Sequence, residues 1–341
     1  MTGPMKILIP MGGAGKRLQP LTWSKPKPLV SLAGKTVLDY VLEMFGTLPN
    51  SDSIELVFSI NPYIEGQLRD HMERHYPEKQ VSFPVDREMR GQSDAFWPAR
   101  DLLDGPVLVV FADTIIEHDF AELKDEAADG VIWVKPVPDP RQFGVTVCDE
   151  EGWVTQIIEK PGDFNNNLAV VGCYYFKDSQ AILSAIQEQI ERKLYLKGEF
   201  YIAEAINILI RGGMRFRTES VDVWLDAGTP ENLLATNRYL LDHGRDLPPH
   251  PQTDPAQNKN SIIIPPVHIH STALIEGSVI GPHVSLGAEV IVQDSLLKDS
   301  IIGSSSQIKN SLLAESILGR NVRVLGKSGQ FCLGDDSQVI Q

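Results

Sequence analysis

Cysteine is scarce. The chain of 341 residues has three, Cys148, Cys173 and Cys332, set far apart. That excludes a disulfide framework and a cysteine-based zinc site. Small buried thiols in a reducing compartment fit better, so a cytoplasmic location is expected. No apolar run reaches the roughly 18 residues of a membrane span. The N-terminus has no signal-peptide pattern, and Met5-Lys6 reads as a natural start. With 31 basic and 45 acidic residues the formal charge is −14, which argues against nucleic acid as the main partner. One local lack runs the other way. From Met1 to Leu38 there is no acidic residue, while Lys6, Lys16, Arg17, Lys25, Lys27 and Lys35 are basic. A cationic island in an acidic chain marks a site for a polyanion.

The island contains ILIPMGGAGKRLQPLTWSKPKPLV, residues 7–30. Ile7-Leu8-Ile9 reads as a short buried strand. Gly12, Gly13 and Gly15 follow, and glycines let the backbone turn with φ > 0 and approach a ligand closely. Consecutive N–H groups in such a turn make an anion-binding concavity. Neither common phosphate loop is present. There is no G-x-x-x-x-G-K-[ST], and Leu18 stands where G-x-G-x-x-G needs its third glycine.

The extended string resembles the signature of the sugar-1-phosphate nucleotidylyltransferases. Gly12, Gly13, Gly15, Arg17, Leu18, Pro20, Leu21, Thr22, Pro26, Lys27, Pro28, Leu29 and Val30 match; Met11 and Lys16 replace the commoner residues. The resemblance implies that the glycine loop, with Met11 at its entry, wraps a nucleoside triphosphate. It gives Arg17 to pyrophosphate and Lys27 to the reacting phosphates. Lys16 and Lys25 read as plain surface lysines.

Further along, residues 36–45 have helical spacing, 54–60 read as a strand and 63–75 as a polar helix. This alternation predicts an α/β fold with a doubly wound sheet, whose ligands sit at the carboxyl ends of strands. The resemblance makes it a Rossmann-like mixed sheet of the GT-A-like nucleotidyltransferase kind. In DREMRGQSDA, residues 86–95, Gly91, Asp94 and Ala95 match the family's base-side loop. Asp86 stands near its base-reading position, where a carboxylate could accept from guanine N–H groups. Asp94 is either a helix cap or part of the nucleotide site.

Asp113 lies at the carboxyl end of the apolar strand Val107–Phe111, one residue beyond it, after Ala112. Asp226 lies in VWLDAGTPENLL, which resembles the family's W-x-D-x-G-T-P-E-x-L. The resemblance makes the two aspartates ligands of Mg²⁺, an ion held by one or two carboxylates plus substrate phosphates. Thr229 is expected to cap the next helix, with Pro230 at its first position and Glu231 in its first turn. Between the aspartates, QFGVTV, IIEKP, VGCYYF and GEFYIAEAINI resemble the family's sugar-site segments. They imply sugar or sugar-phosphate roles for Gly144, Glu159, Lys160, Gly172, Lys197 and Glu199. Ala203 and Glu204 depart from the family's T-D, and Glu199 also reads as a capping or surface carboxylate.

Residues 244–260 are polar and proline-rich and read as a linker. Beyond them DSLLKDSIIG and NSLLAESILG align with a 16-residue offset, and Leu274, Ile280, Leu286 and Val292 recur every six residues. This pattern predicts a hexapeptide left-handed parallel β-helix of about four coils. The expected organisation is a catalytic domain at 5–243, a linker at 244–260, a β-helix at 261–328 and a tail at 329–341. The solenoid makes a homo-oligomer the expectation.

The resemblance implies transfer of a nucleoside monophosphate to a sugar 1-phosphate. Thymidylyl or uridylyl transfer to glucose 1-phosphate comes first; guanylyl transfer to a mannose or heptose 1-phosphate is the alternative. Two rivals come from other classes. A β-helix can be an acyltransferase with a catalytic histidine, for which His268, His270 and His283 are candidates. A non-catalytic nucleotide-sugar sensor would keep the fold alone.

Overall fold

The structure, a computed structural model, describes residues 4–244 and 258–340. It divides into two compact units, Met1–Gly13 with Val41–Trp224, and Ala14–Tyr40 with Leu225–Gln341.

The first unit is built on a nine-stranded mixed sheet. Strand Lys6–Met11 lies between Glu55–Ile60 and Val107–Val110 and is parallel to both. Ile7, Leu8 and Ile9 are buried, as are Leu56, Val57 and Phe58 opposite them. Parallel strands covered on both faces read as unbroken apolar runs, which is the pattern here. Leu168–Phe176 runs antiparallel to Val107–Val110 and to Gly130–Pro136, and Gly144–Cys148 pairs with Val154–Glu159. The amphipathic helices Ser179–Glu191 and Ile202–Arg211 bury Ile182, Ile186, Ile202 and Ile206 in the core that includes Leu8, Val57 and Val109. Each such side chain contributes roughly 1.5–3 kcal/mol by leaving water. Asp178 caps the first of these helices, accepting from Gln180 N–H at 2.9 Å. The expected early elements are Val37–Glu43, Glu55–Ile60 and Glu65–His75.

The second unit joins the signature segment to the C-terminal half. Helix Pro230–His243 starts as expected: Thr229 accepts from Asn232 N–H at 3.2 Å, Pro230 opens the first turn and Glu231 lies in it. From Asn258 the chain winds through three parallel sheets of six, five and five short strands. That stacking fits the hexapeptide left-handed β-helix. Ile275, Ile280, Leu286, Val292, Leu297, Ile302, Ile308, Leu313 and Leu318 fill its interior. Leu274, expected inside, points out and is 48% exposed; Ile275 takes its place, because a coil of 16 or 17 residues cannot keep a strict period of six. The two aligned repeats turn their corners alike. Asp294 and Asn310, and Asp299 and Glu315, occupy equivalent positions with φ between 45° and 49°. Asp and Asn tolerate that region better than most residues.

Three expected boundaries shift. Asn258–Lys259 already pairs with Ile275–Glu276, so the solenoid starts inside the expected linker, whose residues 245–257 lie outside the described ones. The expected tail is further coil through Ile340: Cys332–Leu333 stacks on Ile317–Leu318 and Gln338–Ile340 on Arg323–Leu325. With five or six strands per sheet, the solenoid exceeds four coils. Residues 14–40 group with the C-terminal unit rather than with the rest of 5–243.

Candidate active site

In the first unit, strand Lys6–Met11 delivers Met11 and Gly12 to its carboxyl end, and the adjacent strand Val107–Val110 delivers Asp113 to the same side. A methyl on Gly12 would lie 3.4 Å from Asp86 Oδ2, an ordinary contact, which places that carboxylate beside the glycine turn, while Gly13 faces open space. Asp86 is 2% exposed, and its Oδ1 accepts from Glu88 N–H at 3.0 Å and Met89 N–H at 2.9 Å. Burial pushes its carboxyl up, the nearby Asp94 adds to this, and the backbone donors oppose it.

Asp94 is spoken for. Arg90 grips it with Nε at 3.1 Å and Nη2 at 2.8 Å. It does not cap the turn Asp94–Ala99, where Ser93 holds the cap position without a side-chain hydrogen bond; its oxygens are held by the two-point guanidinium pair. Gly91 has φ 140°, and a methyl there would meet Phe200 N at 2.5 Å. That glycine brings the loop against Phe200, whose N–H donates to Arg90 O at 3.0 Å.

Asp113 is half-buried in a tight turn closed by Thr114 N–H donating to Phe111 O at 3.0 Å. Gly172, expected to face a sugar, supports this turn. It has φ 86°, and a methyl would lie 2.8 Å from Phe111 Cδ2 and 2.9 Å from Thr114 Oγ1.

Glu159 pairs with Gly144 across two strands, and a methyl on Gly144 would lie 3.0 Å from Glu159 Oε2. Gly144 therefore makes room for a carboxylate. Burial pushes Glu159 up to about 7; Lys160 opposes the rise and Glu199 adds to it. Lys160, at φ 49°, hydrogen-bonds Tyr201 Oη at 2.5 Å and lies 4.5 Å from the centre of that ring. The Tyr201 hydroxyl also hydrogen-bonds Glu199. Lys197 (φ 52°) and Gly198 (φ 85°) are the two central residues of a reverse turn joining Leu196 to Glu199, and Lys197 is exposed at its tip. Two successive positive φ values mark a type I′ turn. Glu159, Lys160, Tyr201 and Glu199 thus form one polar cluster.

In the second unit, Gly15 (φ 61°) is packed against Thr22, whose hydroxyl donates to Gly15 O at 2.8 Å. Arg17 lies on the short turn Lys16–Leu18 and Lys27 on Lys27–Leu29. The two motifs, some 200 residues apart in sequence, meet at Gly228. A methyl on Gly228 would lie 3.0 Å from Arg17 Nη2 and 2.7 Å from Asp226 Oδ1. Asn232 Nδ2 donates to Asp226 Oδ2 at 2.6 Å. The half-buried carboxylates of Asp113 and Asp226 are hard oxygen donors that suit Mg²⁺. Among the described residues no three His, Cys, Asp or Glu side chains converge to hold a metal.

The solenoid histidines have other partners. His268 packs on Gly34, and burial lowers its pKa. His270 Nδ1 lies 3.0 Å from Thr272 Oγ1. His283 lies between Asp242 at 2.9 Å and Asp299 at 3.4 Å.

The nucleotidyl transferase family matches residues 6–243. The chain belongs to that family. Bifunctional protein GlmU of Methanocaldococcus jannaschii is 32% identical over 240 residues, covering 70% of this chain and 55% of the relative. The low-salt glycan biosynthesis nucleotidyltransferase Agl11 of Haloferax volcanii is 31% identical over 245 residues, covering 70% and 66%. The chain thus spans about half to two thirds of the length of these two. A glucose-1-phosphate thymidylyltransferase of Streptomyces griseus is 27% identical over 367 residues, covering 98% and 99%. A solved structure of a candidate glucose-1-phosphate thymidylyltransferase from Bacillus anthracis, in complex with sucrose, shares the fold. Its TM-score is 0.60 at 22% identity, covering 71% of this chain and 97% of that one.

The sequence did not single out Arg90, Tyr201 or Asn232, which hydrogen-bond Asp94, Lys160 and Asp226. Asn232 carries a signal, two residues after Pro230 at the start of a capped helix and six beyond Asp226. Tyr201 carries none, since an aromatic before an amphipathic helix reads as core.

Proposed function

We propose that this protein transfers a nucleoside monophosphate from a nucleoside triphosphate to a sugar 1-phosphate and releases pyrophosphate. The observation that carries the reading is the meeting of Arg17 and Asp226 at Gly228, which joins the cationic signature to a carboxylate in one compact unit. A sugar-phosphate oxygen is already an anion, so attack on the α-phosphate needs no general base. The protein must orient two anions and hold cations where negative charge develops. Arg17 and Lys27 do this with fixed positive charge. Asp113 and Asp226 would hold Mg²⁺, which supplies charge neutralisation on the phosphates when bound. Gly12, Gly13 and Gly15 provide the turn for the triphosphate, and Glu159, Lys160, Tyr201 and Glu199 the polar cluster for the sugar phosphate.

Thymidylyl or uridylyl transfer to glucose 1-phosphate is the first substrate reading, supported by the end-to-end likeness to the Streptomyces griseus relative. One observation favours guanylyl transfer instead. Asp86 is buried beside Gly12, with Oδ1 held by backbone donors and Oδ2 toward the loop. An ionised carboxylate accepts only and matches the N1–H and N2–H₂ edge of guanine. Pyrophosphate release from each nucleoside triphosphate, paired with glucose, mannose, galactose, N-acetylglucosamine and heptose 1-phosphates, decides between them. A chain that binds nucleotide yet releases no pyrophosphate with any pair would be a sensor.

A further inference from the structure

The solenoid's last coil touches the signature segment, within one compact unit. Gly334 is so close to Pro20 that a methyl there would lie 2.7 Å from Pro20 O. The next residue, Asp335, has a side chain only 5% exposed, and Lys25 Nζ lies 3.3 Å from its Oδ1. Ser24 also hydrogen-bonds this carboxylate, and Arg320 N–H donates to Oδ1 at 2.7 Å. Burial alone would raise the Asp335 pKa, but these donors and the Lys25 charge bring it below the usual carboxylate range. A buried carboxylate with three partners on two segments is a fastening point, since leaving any partner unmet in a buried site is costly.

The fastened stretch sits between the two cations of the site. Pro20 is three residues after Arg17, and Lys25 is two before Lys27. Inside the loop, Leu21 N–H donates to Leu18 O at 2.9 Å, Trp23 N–H to Pro20 O at 3.2 Å, and Thr22 to Gly15 O. Displacement at Lys25 would therefore be passed to both neighbours. The far side of the segment is tied down as well. Ala33 N–H donates to Asn237 Oδ1 at 2.9 Å, which also accepts from Ser285 Oγ at 2.7 Å on the solenoid.

We propose that Asp335 is a positioning residue, by which the last coil of the solenoid holds the Pro20–Lys25 turn and, through it, Arg17 and Lys27. The link to turnover rests on the transfer reaction proposed above; the fastening itself does not. The β-helix is then part of the site's scaffold, and residues beyond the matched 6–243 matter for chemistry.

The test uses the full chain with Asp335→Ala, Asp335→Asn, Lys25→Ala and the double variant Lys25→Ala/Asp335→Ala. Asp336→Ala is the control; Asp336 takes a hydrogen bond from Asn321 at 2.7 Å on the exposed side of the same coil. Hydrogen exchange over residues 16–30 reports the fastening without activity. We expect protection there to fall about tenfold in Asp335→Ala and Lys25→Ala, no further in the double variant, and not in the control. Pyrophosphate release should show kcat falling about tenfold to a hundredfold, with the KM for sugar phosphate changing less. Asp335→Asn keeps acceptors for Arg320 and Ser24 and should recover part of both. Exchange in Asp335→Ala equal to the control overturns the fastening, whatever the activity. Altered exchange with unchanged kcat in an active enzyme overturns the positioning role. Wild-type inactivity on every substrate pair sinks the transfer reading, while the exchange result still decides the fastening.

Discussion

Glu159 shows how far a single residue can depart from its free-solution behaviour. Burial raises its pKa from 4.5 to about 7, with Glu199 adding and Lys160 opposing. The folded form therefore binds this proton more tightly than the unfolded chain. Its stabilising contribution is complete below pH 4.5 and is lost as pH rises through about 7. Thermal melts should show that decline for the wild type and a flatter profile for Glu159→Gln across the same range. The two cations and two aspartates belong at this scale as well. Asp113→Asn or Lys27→Ala should lower kcat by about a hundredfold to a thousandfold while circular dichroism stays native. Wild-type turnover in either variant removes that residue from the mechanism. The matched strings were legible in the chain because they are local. What the strings could not convey is which side chain uses up which other. Arg90 takes the oxygens of Asp94, and Lys25, read as a surface lysine, ends at Asp335 from more than 300 residues away.

Among the elements, the glycines of the sugar segments changed meaning most. Gly144 makes room for Glu159, and Gly172 admits the Phe111–Thr114 turn that carries Asp113. Gly172→Ala combines a φ of 86° with a contact of 2.8 Å, so it should destabilise by about 1–3 kcal/mol in urea titration and also lower turnover through Asp113. The strands, the helices and the cap at Thr229 were readable because periodicity and capping are properties of short windows. The solenoid's serines were not. Ser278, Ser295 and Ser311 are buried, and each donates its N–H to the serine hydroxyl one coil back, on Ser261, Ser278 and Ser295, at 3.0 or 3.1 Å. A serine at a coil corner looks like any turn residue until the coils are stacked. Leu297→Ala, at the fully buried centre of the stack, should cost about 2–5 kcal/mol. A loss below 1 kcal/mol would mean that the prism is less tightly packed than its burial indicates.

For the whole molecule, the solenoid has an outward apolar column. Ile262, Val279, Leu296 and Leu312 stand in register on successive coils, with Ile262 62% and Leu312 55% exposed. In the column beside it, Glu276 and Lys309 stand one rung either side of Gln293. A two-fold axis through the middle rung would set Glu276 of one copy against Lys309 of the other, the self-complementarity of a closed dimer. Light scattering should give a dimer for the wild type and a smaller species for Leu312→Glu; identical masses would reject this face. The boundary between catalytic region and solenoid was the least legible feature, because residues 14–40 join the C-terminal half through contacts of long sequence separation. Pyrophosphate release with Mg²⁺ across the substrate grid tests the proposed nucleotidyl transfer to a sugar 1-phosphate most directly. Release confined to one nucleotide–sugar pair, or to a narrow row, with the matching nucleotide sugar as co-product, is the predicted result. No release from any pair would contradict it.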